Sequence, residues 1–297
     1  MSQTQELRGL AFAVAYRMLG SVAEAEDVTQ DALLRLHDAS GVENPEAFLT
    51  TVTTRLAIDV LRSARVRRET YTGSWLPEPL VEDDAERKVE NEEAVSLAFL
   101  VLLERLNPDE RAVLVLRESF DYEYADIAEI LGISAANARQ ILSRARRRVA
   151  DERPRFDPDP GERRALAARF LDAARNGDME GLVAMLAPDA LMVGDGGGKA
   201  RSLPAPLRGA ADIARALVAF GRLGERWGTT FEPAVVNGQP GFRTVAPDGK
   251  LVNVVAIEIE GGVVRRIYSM LNPDKLGHLG PLSYLGLRPS VRPTPPA

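Results

Sequence analysis

Side chains that can hydrogen-bond to nucleotide bases and phosphates are concentrated in one short stretch near the middle of the chain. Asparagine and glutamine amides match the edge of adenine, arginine matches guanine, and further arginines bind backbone phosphates. The candidates, with the small residues between them, are Ser134, Ala135, Asn137, Ala138, Arg139, Gln140, Ser143, Arg144, Arg146 and Arg147. Residues of these types at this spacing point to contact with a nucleic acid.

Two short helices joined by a turn must position these side chains. Apolar residues at helical spacing predict the first helix over 125–131, Gly132 permits a tight turn, and Ser134 is a suitable N-cap for the second helix. The apolar side of the second helix comprises Ala138, Ile141, Leu142, Ala145 and Val149. This pattern is typical of a helix-turn-helix that enters a DNA major groove. The alternative is a helical hairpin with a solvated arginine face, but five arginines on one short helix favour DNA binding.

The composition limits where such binding can occur. The chain of 297 residues has a formal net charge of −6 and a pI of about 5.3, so DNA affinity must come from local basic patches. It contains no cysteine, which excludes disulfides, thiolate metal sites and a cysteine nucleophile. No apolar run approaches the roughly 18 residues of a membrane span, and the N-terminus lacks the order of a signal peptide. We therefore expect a cytoplasmic protein with no membrane association.

Periodicity and composition divide the chain into three blocks joined by linkers. We predict, in order, a helical first block (1–69), a polar linker (70–93), a second helical block with the helix-turn-helix (94–152), a proline-rich linker (153–162), a third block (163–276) and a flexible tail (277–297). The first linker contains two large aromatics, Tyr71 and Trp75. They indicate either a segment that docks on another surface or a local hydrophobic contact with the neighbouring helix.

The third block changes from helical to strand-forming patterns. Helices are predicted over 164–176, 179–186 and 212–223, and strands over 190–193, 229–236, 241–245, 251–259 and 263–270. Turn signals at 247–249 and 260–262 mark hairpins. The expected fold is an α+β domain with a curved antiparallel sheet.

Six segments of the chain resemble a known protein family. They are AEDVTQDALLRLH (25–37), NPEAFLTTVTTRLAIDVLRSARVRRE (44–69), the helix-turn-helix region over 103–149, WLPEP (75–79), DGGGK (195–199) and NPDKL (272–276). In this order they resemble the group-four, extracytoplasmic-function sigma factors of bacterial RNA polymerase that carry a fused C-terminal SnoaL-like domain, the SigJ-like group. The resemblance implies two all-α sigma domains followed by an α+β SnoaL-like domain, a cone of curved sheet with helices in its mouth.

The resemblance also implies roles for individual residues. The helix-turn-helix residues named above would read the promoter −35 element. Core RNA polymerase would bind Asp27, Gln30, Asp31 and Leu34, a mixed acidic and apolar surface. The −10 element would be bound by Arg55, Asp59, Arg62, Arg65, Arg67 and Arg68. The first members of this −10 set recur at spacings of three or four and therefore share one helix face. No cofactor and no metal is implied. The expected partners are core RNA polymerase and promoter DNA, and a small-molecule ligand of the C-terminal domain is left open.

SnoaL-like folds include polyketide cyclases and isomerases, so the third block could be an enzyme. Such chemistry needs an acid or base in a pocket, and the candidates are Asp189, Asp195, Asp212 and Glu258. Nothing in the sequence pairs these acids, and both histidines, His37 and His278, lie outside the predicted strands. We therefore expect no catalysis, although turnover by the third block stays an alternative.

A regulatory role suits the third block better. We expect its two loops to dock on the sigma core near the WLPEP linker. The interdomain residues would be Trp75, Leu76, Pro77, Glu78, Pro79, Asp195, Gly196, Gly197, Gly198, Lys199, Asn272, Pro273, Asp274 and Lys275. Trp75 and Leu76 would be apolar anchors, and the two lysines would meet the acids of 82–86. A stand-alone helix-turn-helix regulator, whose C-terminal domain binds a small molecule, is the other alternative.

Overall fold

The computed structural model describes residues 3–69, 71–82, 95–149 and 160–291, with only the backbone for 64–69, 160 and 289. Contacts within the chain divide it into two compact units, and each is described separately. The first unit combines Met1–Thr70 with Phe99–Arg153, and the second combines Tyr71–Ala98 with Pro154–Ala297. The linker between the two helical blocks therefore belongs to the same unit as the third block.

The first unit is helical throughout its described residues. Its helices are α1 (Gln3–Leu19), α2 (Val22–Asp38), α3 (Pro45–Glu69), α4 (Leu97–Leu103, of which this unit contains the part from Phe99), α5 (Pro108–Ser119), α6 (Tyr124–Leu131) and α7 (Ala135–Val149). Capping explains several of their starts. Ser21 accepts a hydrogen bond from the backbone of Glu24 at 3.2 Å, and Asn107 forms a reciprocal capping box with Glu110.

The early and late helices of this unit pack on one another. Helix α5 contacts α1 and α3, and α6 contacts α3. The buried Arg111 guanidinium donates to the carbonyl of Met18 at 2.8 Å, and the Tyr122 hydroxyl donates to Thr50 Oγ1 at 2.9 Å. These polar contacts between buried or half-buried groups set the register of α5 and α6 on the first three helices.

The second unit is an α+β domain around a seven-stranded mixed sheet. Its helices are α8 (Pro160–Asn176), α9 (Met179–Met185) and α10 (Ala210–Trp227), and its strands are β1 (Val81–Glu82), β2 (Leu186–Asp195), β3 (Leu207–Arg208), β4 (Thr230–Val236), β5 (Gln239–Val245), β6 (Leu251–Glu260) and β7 (Val263–Met270). The strand order is β1-β4-β5-β6-β7-β2-β3. Side chains from α8, α10 and one sheet face form the core, with Phe170, Ile213 and Ile257 among its buried members.

The sheet differs from the predicted antiparallel meander in three ways. Strand β2 pairs in parallel with β7, it is longer than the predicted 190–193, and two short strands, β1 and β3, extend the edges. The β1 strand comes from the linker and pairs with β4. A parallel pair joins segments that are distant in sequence, so local turn signals could not predict it.

The start of the expected flexible tail is packed. Residues 277–291 include the 3₁₀ turns Gly277–Leu279 and Pro289–Val291, and Ser283 and Leu287 are buried. Isolated bridges join Leu287 to Ala200 and Leu282 to Leu251. The tail up to 291 is thus part of the domain, because backbone pairing and buried side chains hold it. Among the described residues, no helix is long and apolar enough to cross a lipid bilayer.

Candidate nucleic-acid interface and linker contacts

Helix α7 has the two faces that the sequence predicted. All five residues of its apolar side are buried, whereas Asn137, Gln140 and Arg144 are exposed. Gly132 ends α6 with a φ of 67°, and Ser134 Oγ accepts from the backbone of Asn137 at 3.1 Å. Ala138 is completely buried on the apolar side, so it cannot contact DNA and leaves the candidate set.

Arginines line a shallow depression on the exposed face of α7. The depression has a volume of about 430 Å³ and is lined by Tyr124, Arg139, Leu142, Ser143, Arg146 and Arg147. The Arg139 guanidinium lies 5.0 Å from the centre of the Tyr124 ring, and Arg146 pairs with Glu118 at 2.8 Å. Three guanidinium groups around one depression favour phosphate binding.

The described −10 candidates lie on one exposed face of α3, as predicted from their spacing. Arg55 donates to the carbonyls of Ile130 at 2.8 Å and Glu129 at 3.4 Å, at the C-terminal end of α6. Arg62 pairs with Asp109 at 3.3 Å and with Asp59 at 3.6 Å. Arg55 thus lies at the C-terminus of α6, where a cation is favourable, and Arg62 is held by carboxylates of α5 and of α3 itself. The side chains of Arg65, Arg67 and Arg68 lie outside the described residues.

The polymerase-binding candidates share an exposed face of α2. Asp27, Gln30, Asp31 and Leu34 are all exposed, and Leu34 keeps 60% of its surface accessible. An exposed leucine flanked by carboxylates can bind an apolar surface with basic surroundings.

The first part of the linker is held by a group of residues that we call the linker clamp: Tyr71, Trp75, Leu76, Asp195, Asn272 and Lys275. Asp195 is completely buried at the end of β2. Its Oδ1 accepts from the Tyr71 hydroxyl at 2.5 Å and from the Gly197 backbone at 3.0 Å. Its Oδ2 accepts from the Leu76 backbone at 2.9 Å and from Lys275 Nζ at 2.7 Å. The four bonds satisfy a carboxylate that burial would otherwise destabilise.

Lys275 is the cationic centre of the linker clamp. Besides its pair with Asp195, it donates to the Leu76 carbonyl and lies 4.1 Å from the ring centre of Trp75 and 4.9 Å from that of Tyr71. The Asn272 amide donates to the Tyr71 hydroxyl at 2.8 Å. Burial, and then the hydrogen bond to Asp195, raises the pKa of Tyr71 well above its usual value. The phenol therefore stays protonated and donates to Asp195.

The glycine run after Asp195 allows the two loops of the domain to touch. Gly197 has a φ of 57°, and a Cβ there would lie 2.4 Å from Asn272 Nδ2. Lys199 pairs with Asp274 at 2.6 Å across the same loops. Lys275 and Lys199 therefore bind Asp195 and Asp274, and their expected pairing with the acids of 82–86 stays a prediction. Of the acidic run over 82–86, only Glu82 is described.

A second attachment holds the end of the linker. Asn237 exchanges two hydrogen bonds with Leu80, at 2.8 and 2.9 Å, and its amide donates to the Val95 carbonyl at 3.1 Å. His278 Nε2 lies 2.9 Å from the carbonyl of Pro79. Sequence reasoning missed Asn237 and His278. The Asn237-Gly238 pair is a hairpin-turn signal that would have drawn attention to Asn237.

The candidate catalytic acids are engaged elsewhere. Asp189 binds Arg265 at 3.2 Å, and Glu258 binds Arg266 across the β6–β7 pair at 3.1 Å. Burial raises the pKa of Glu258, while Arg266 opposes the shift. Asp212 pairs with Arg215 on α10. A cavity of about 460 Å³ lies between α8, α10 and the sheet, and none of these acids is among its described lining residues.

These features define a DNA-binding protein of two helical domains with an appended α+β domain. Residues 4–67 match the family model "Sigma-70 region 2", and residues 96–149 match "Sigma-70, region 4". The chain belongs to the extracytoplasmic-function (ECF) sigma factors, which direct bacterial RNA polymerase to promoters. Its homologues are sigma factors, which are not enzymes.

Named relatives cover nearly the whole chain. It is 38% identical to "ECF RNA polymerase sigma factor SigJ" of Mycobacterium tuberculosis, over 93% of this chain and 92% of the relative. It is 32% identical to "Probable ECF RNA polymerase sigma factor SigI" of the same organism, over 90% and 91%. The crystal structure of M. tuberculosis SigJ matches with a TM-score of 0.77 and 36% identity, covering 95% of this chain and 99% of that chain. These matches confirm the family expected from the sequence motifs.

Proposed function

We propose that this sigma factor controls its own activity by holding the linker between its two helical domains. In this proposal α2 binds core RNA polymerase, α3 binds the −10 element, and the exposed face of α7 binds the −35 element. The C-terminal domain regulates promoter use through the linker clamp, in place of a separate anti-sigma factor. The observation that carries the proposal is the buried Asp195–Lys275 pair with Leu76 bound to both residues.

The linker is held on both sides of its undescribed part. Residues 71–76 bind the members of the linker clamp that lie in the C-terminal domain. Residues 80–82 and Val95 bind Asn237 and β4. This linker joins α3 to α4. While the linker is bound, the C-terminal domain therefore limits the distance that the linker can span between these two helices. Promoter binding requires the −10 and −35 contacts at one fixed spacing. A held linker therefore favours some separations of the two DNA-binding helices over others.

The charge of the chain supports dependence on polymerase. A formal net charge of −6 opposes binding to the phosphate backbone, so local arginines alone provide weak affinity for DNA. Core polymerase would supply the missing affinity and would position both helices on the promoter. This favours a sigma factor over a stand-alone duplex-binding regulator.

The test is run-off transcription with core RNA polymerase and the full chain, comparing Lys275→Met with Lys199→Met. Both changes remove one positive charge from neighbouring loops. Lys275 is 8% exposed and bound to Asp195 and the linker, whereas Lys199 is 43% exposed in a surface pair. We expect Lys275→Met to change the promoter-specific transcript by about fivefold or more. An increase means that the linker clamp restrains initiation, and a decrease means that it supports the productive spacing.

The control variant Lys199→Met should transcribe like the unchanged chain, because exposed ion pairs contribute little. In Lys275→Met, release of the linker lets water hydrate the Asp195 carboxylate, which has lost its cationic partner. The domain core, formed by α8, α10 and the sheet, should therefore stay folded. Circular dichroism checks this. Equal transcription by both folded variants and the unchanged chain would refute regulation through the linker clamp.

A further inference from the structure

The cavity of the C-terminal domain has the size and lining of a small-molecule site. Its volume of about 460 Å³ lies within the roughly 300–1,000 Å³ common for such sites. Apolar and aromatic side chains provide most of the wall, including Leu217, Trp227 and Phe231. Phe231 and Phe242 form an edge-to-face pair with ring centres 5.6 Å apart. A flat or polycyclic apolar molecule would fit against these rings.

Two polar atoms in the wall lack partners. Ser202 Oγ and Asn253 Oδ1 are buried and have no hydrogen-bond partner among the described residues. The Asn253 amide nitrogen already donates to Ser269 Oγ at 3.3 Å, which leaves its oxygen as an acceptor. Both atoms are covered by neighbouring groups in this structure, so an occupant with a hydroxyl donor would pair with Asn253 Oδ1 once that side chain turns toward the cavity.

The lining also indicates that the occupant is neutral and that it is bound without being converted. The described lining residues include no aspartate, glutamate, histidine, lysine, tyrosine or cysteine. The two arginines, Arg175 and Arg201, are exposed, and Arg175 already donates to the Phe231 carbonyl at 2.6 Å. The wall therefore offers no buried counter-charge and no general acid or base.

The cavity adjoins the linker clamp through two strand ends. Gly194 and Leu271 line the cavity, and the next residues, Asp195 and Asn272, belong to the linker clamp. The Asp195 carbonyl accepts from the backbones of Leu271 at 2.7 Å and Asn272 at 3.0 Å. A Cβ on Gly194 would lie 2.4 Å from Ser202 Oγ, so the wall and this strand end are in close contact. A molecule that moves either strand end also moves the groups that hold Tyr71 and Leu76.

We propose that the cavity binds a neutral, largely apolar molecule with a hydroxyl group directed at Asn253, and that its binding changes the hold of the linker clamp on residues 71–76. The second half of this statement rests on the proposed function, whereas the binding site does not. The molecule would act as the signal that couples the C-terminal domain to promoter use.

The test for binding uses a matched pair of fluorescent probes with the full chain. 1-Hydroxypyrene carries the hydroxyl donor, and 1-methoxypyrene has the same rings without it. Anisotropy titrations should show that the hydroxyl probe binds about tenfold more tightly. Asn253→Leu should remove this preference and leave binding of the methoxy probe unchanged. Equal affinities for the unchanged chain would overturn the assignment of the hydroxyl, and binding of neither probe would overturn the site.

The test for coupling is amide hydrogen exchange of the full chain with and without 1-hydroxypyrene. The amides of Leu76 and Leu80 donate to Asp195 and Asn237, so exchange over residues 71–82 reports the attachment of the linker. We expect the probe to change exchange there and to leave 108–119, in the first unit, unaltered. Saturating binding with unchanged exchange over 71–82 would overturn the coupling. Loss of the proposed function is detected separately, by the Lys275→Met transcription assay without any probe.

Discussion

At the scale of single residues, the linker clamp depends on Gly197, which has no side chain, as much as on the Asp195–Lys275 pair. Gly197 combines a left-handed backbone with contact to Asn272, which is itself 3% exposed and bonded to Tyr71. A Cβ at this position would displace the Asn272 amide, and the hydrogen bond to the Tyr71 hydroxyl would weaken. The glycine therefore holds two loops close enough for both to bind the linker.

The change Gly197→Ala should be compared with Gly261→Ala. Both positions have nearly the same φ, 57° and 60°, but a Cβ at Gly261 meets no atom within 4 Å. We expect about 1–2 kcal/mol of backbone strain in each variant. The overlap with Asn272 should add about 1–3 kcal/mol at Gly197 alone.

Urea unfolding followed by tryptophan emission measures the difference. Both tryptophans, Trp75 and Trp227, belong to the second unit, so the signal reports this unit. Equal loss of stability in the two variants would show that Asn272 moves aside freely and that the close approach is unimportant.

At the scale of secondary-structure elements, the two edges of α7 have different tasks. Arg144 is exposed on the face proposed to bind DNA. Arg148 instead binds Glu110 at 2.8 Å, and Glu110 is 3% exposed within the capping box of α5. One arginine is thus available to a phosphate, and the other stabilises the start of a neighbouring helix.

We expect Arg144→Ala to weaken promoter binding by the holoenzyme and to reduce its salt dependence by about one unit of slope. Arg148→Ala should leave the slope unchanged and lower the thermal stability of the first unit, because Glu110 loses its cationic partner. Gel-shift titrations at several potassium chloride concentrations measure the slope. An unchanged slope in Arg144→Ala would remove this arginine from the DNA interface.

The helical elements could be predicted from the sequence because their signals are local. Proline, asparagine and serine caps, glycine stops and apolar spacing defined the helix-turn-helix and the exposed face of α3. The sheet was predicted in part. Hairpin turns identified the antiparallel neighbours, but the parallel β2–β7 pair and the short β1 strand depend on residues distant in sequence.

The motifs WLPEP, DGGGK and NPDKL contain every residue of the linker clamp except Tyr71, but they did not indicate which residues pair. Lys275 binds Asp195, 80 residues before it, a pairing that the sequence did not indicate. From charge alone, any nearby carboxylate was an equally suitable partner for Lys275. The choice is made by burial, since Asp195 is enclosed by Tyr71 and the linker backbone.

At the scale of the whole molecule, the division into units separates DNA binding from its control. The first unit contains every residue proposed to bind DNA or polymerase, and its described part has buried cores of its own, including Met18 and Leu114. The second unit contains the linker contacts. A chain that ends at Phe156 keeps the linker but lacks every partner of it in the C-terminal domain.

We expect this shortened chain to support promoter-specific run-off transcription with core polymerase. The amount of transcript should differ from that made with the full chain in the same direction as for Lys275→Met, because both changes free the linker. Quantified transcripts from the three proteins measure this. Opposite directions would show that the C-terminal domain acts by a route other than the linker clamp.

The linker clamp also fixes an order in time. Leu76 precedes its partner Asp195 by 119 residues and Lys275 by 199 residues. At about 5–20 residues per second, a ribosome adds Lys275 roughly 10–40 seconds after Leu76. Both helical domains emerge during that interval and can fold before the strands that will bind the linker exist. Every newly made molecule therefore passes through a stage in which nothing yet holds its linker.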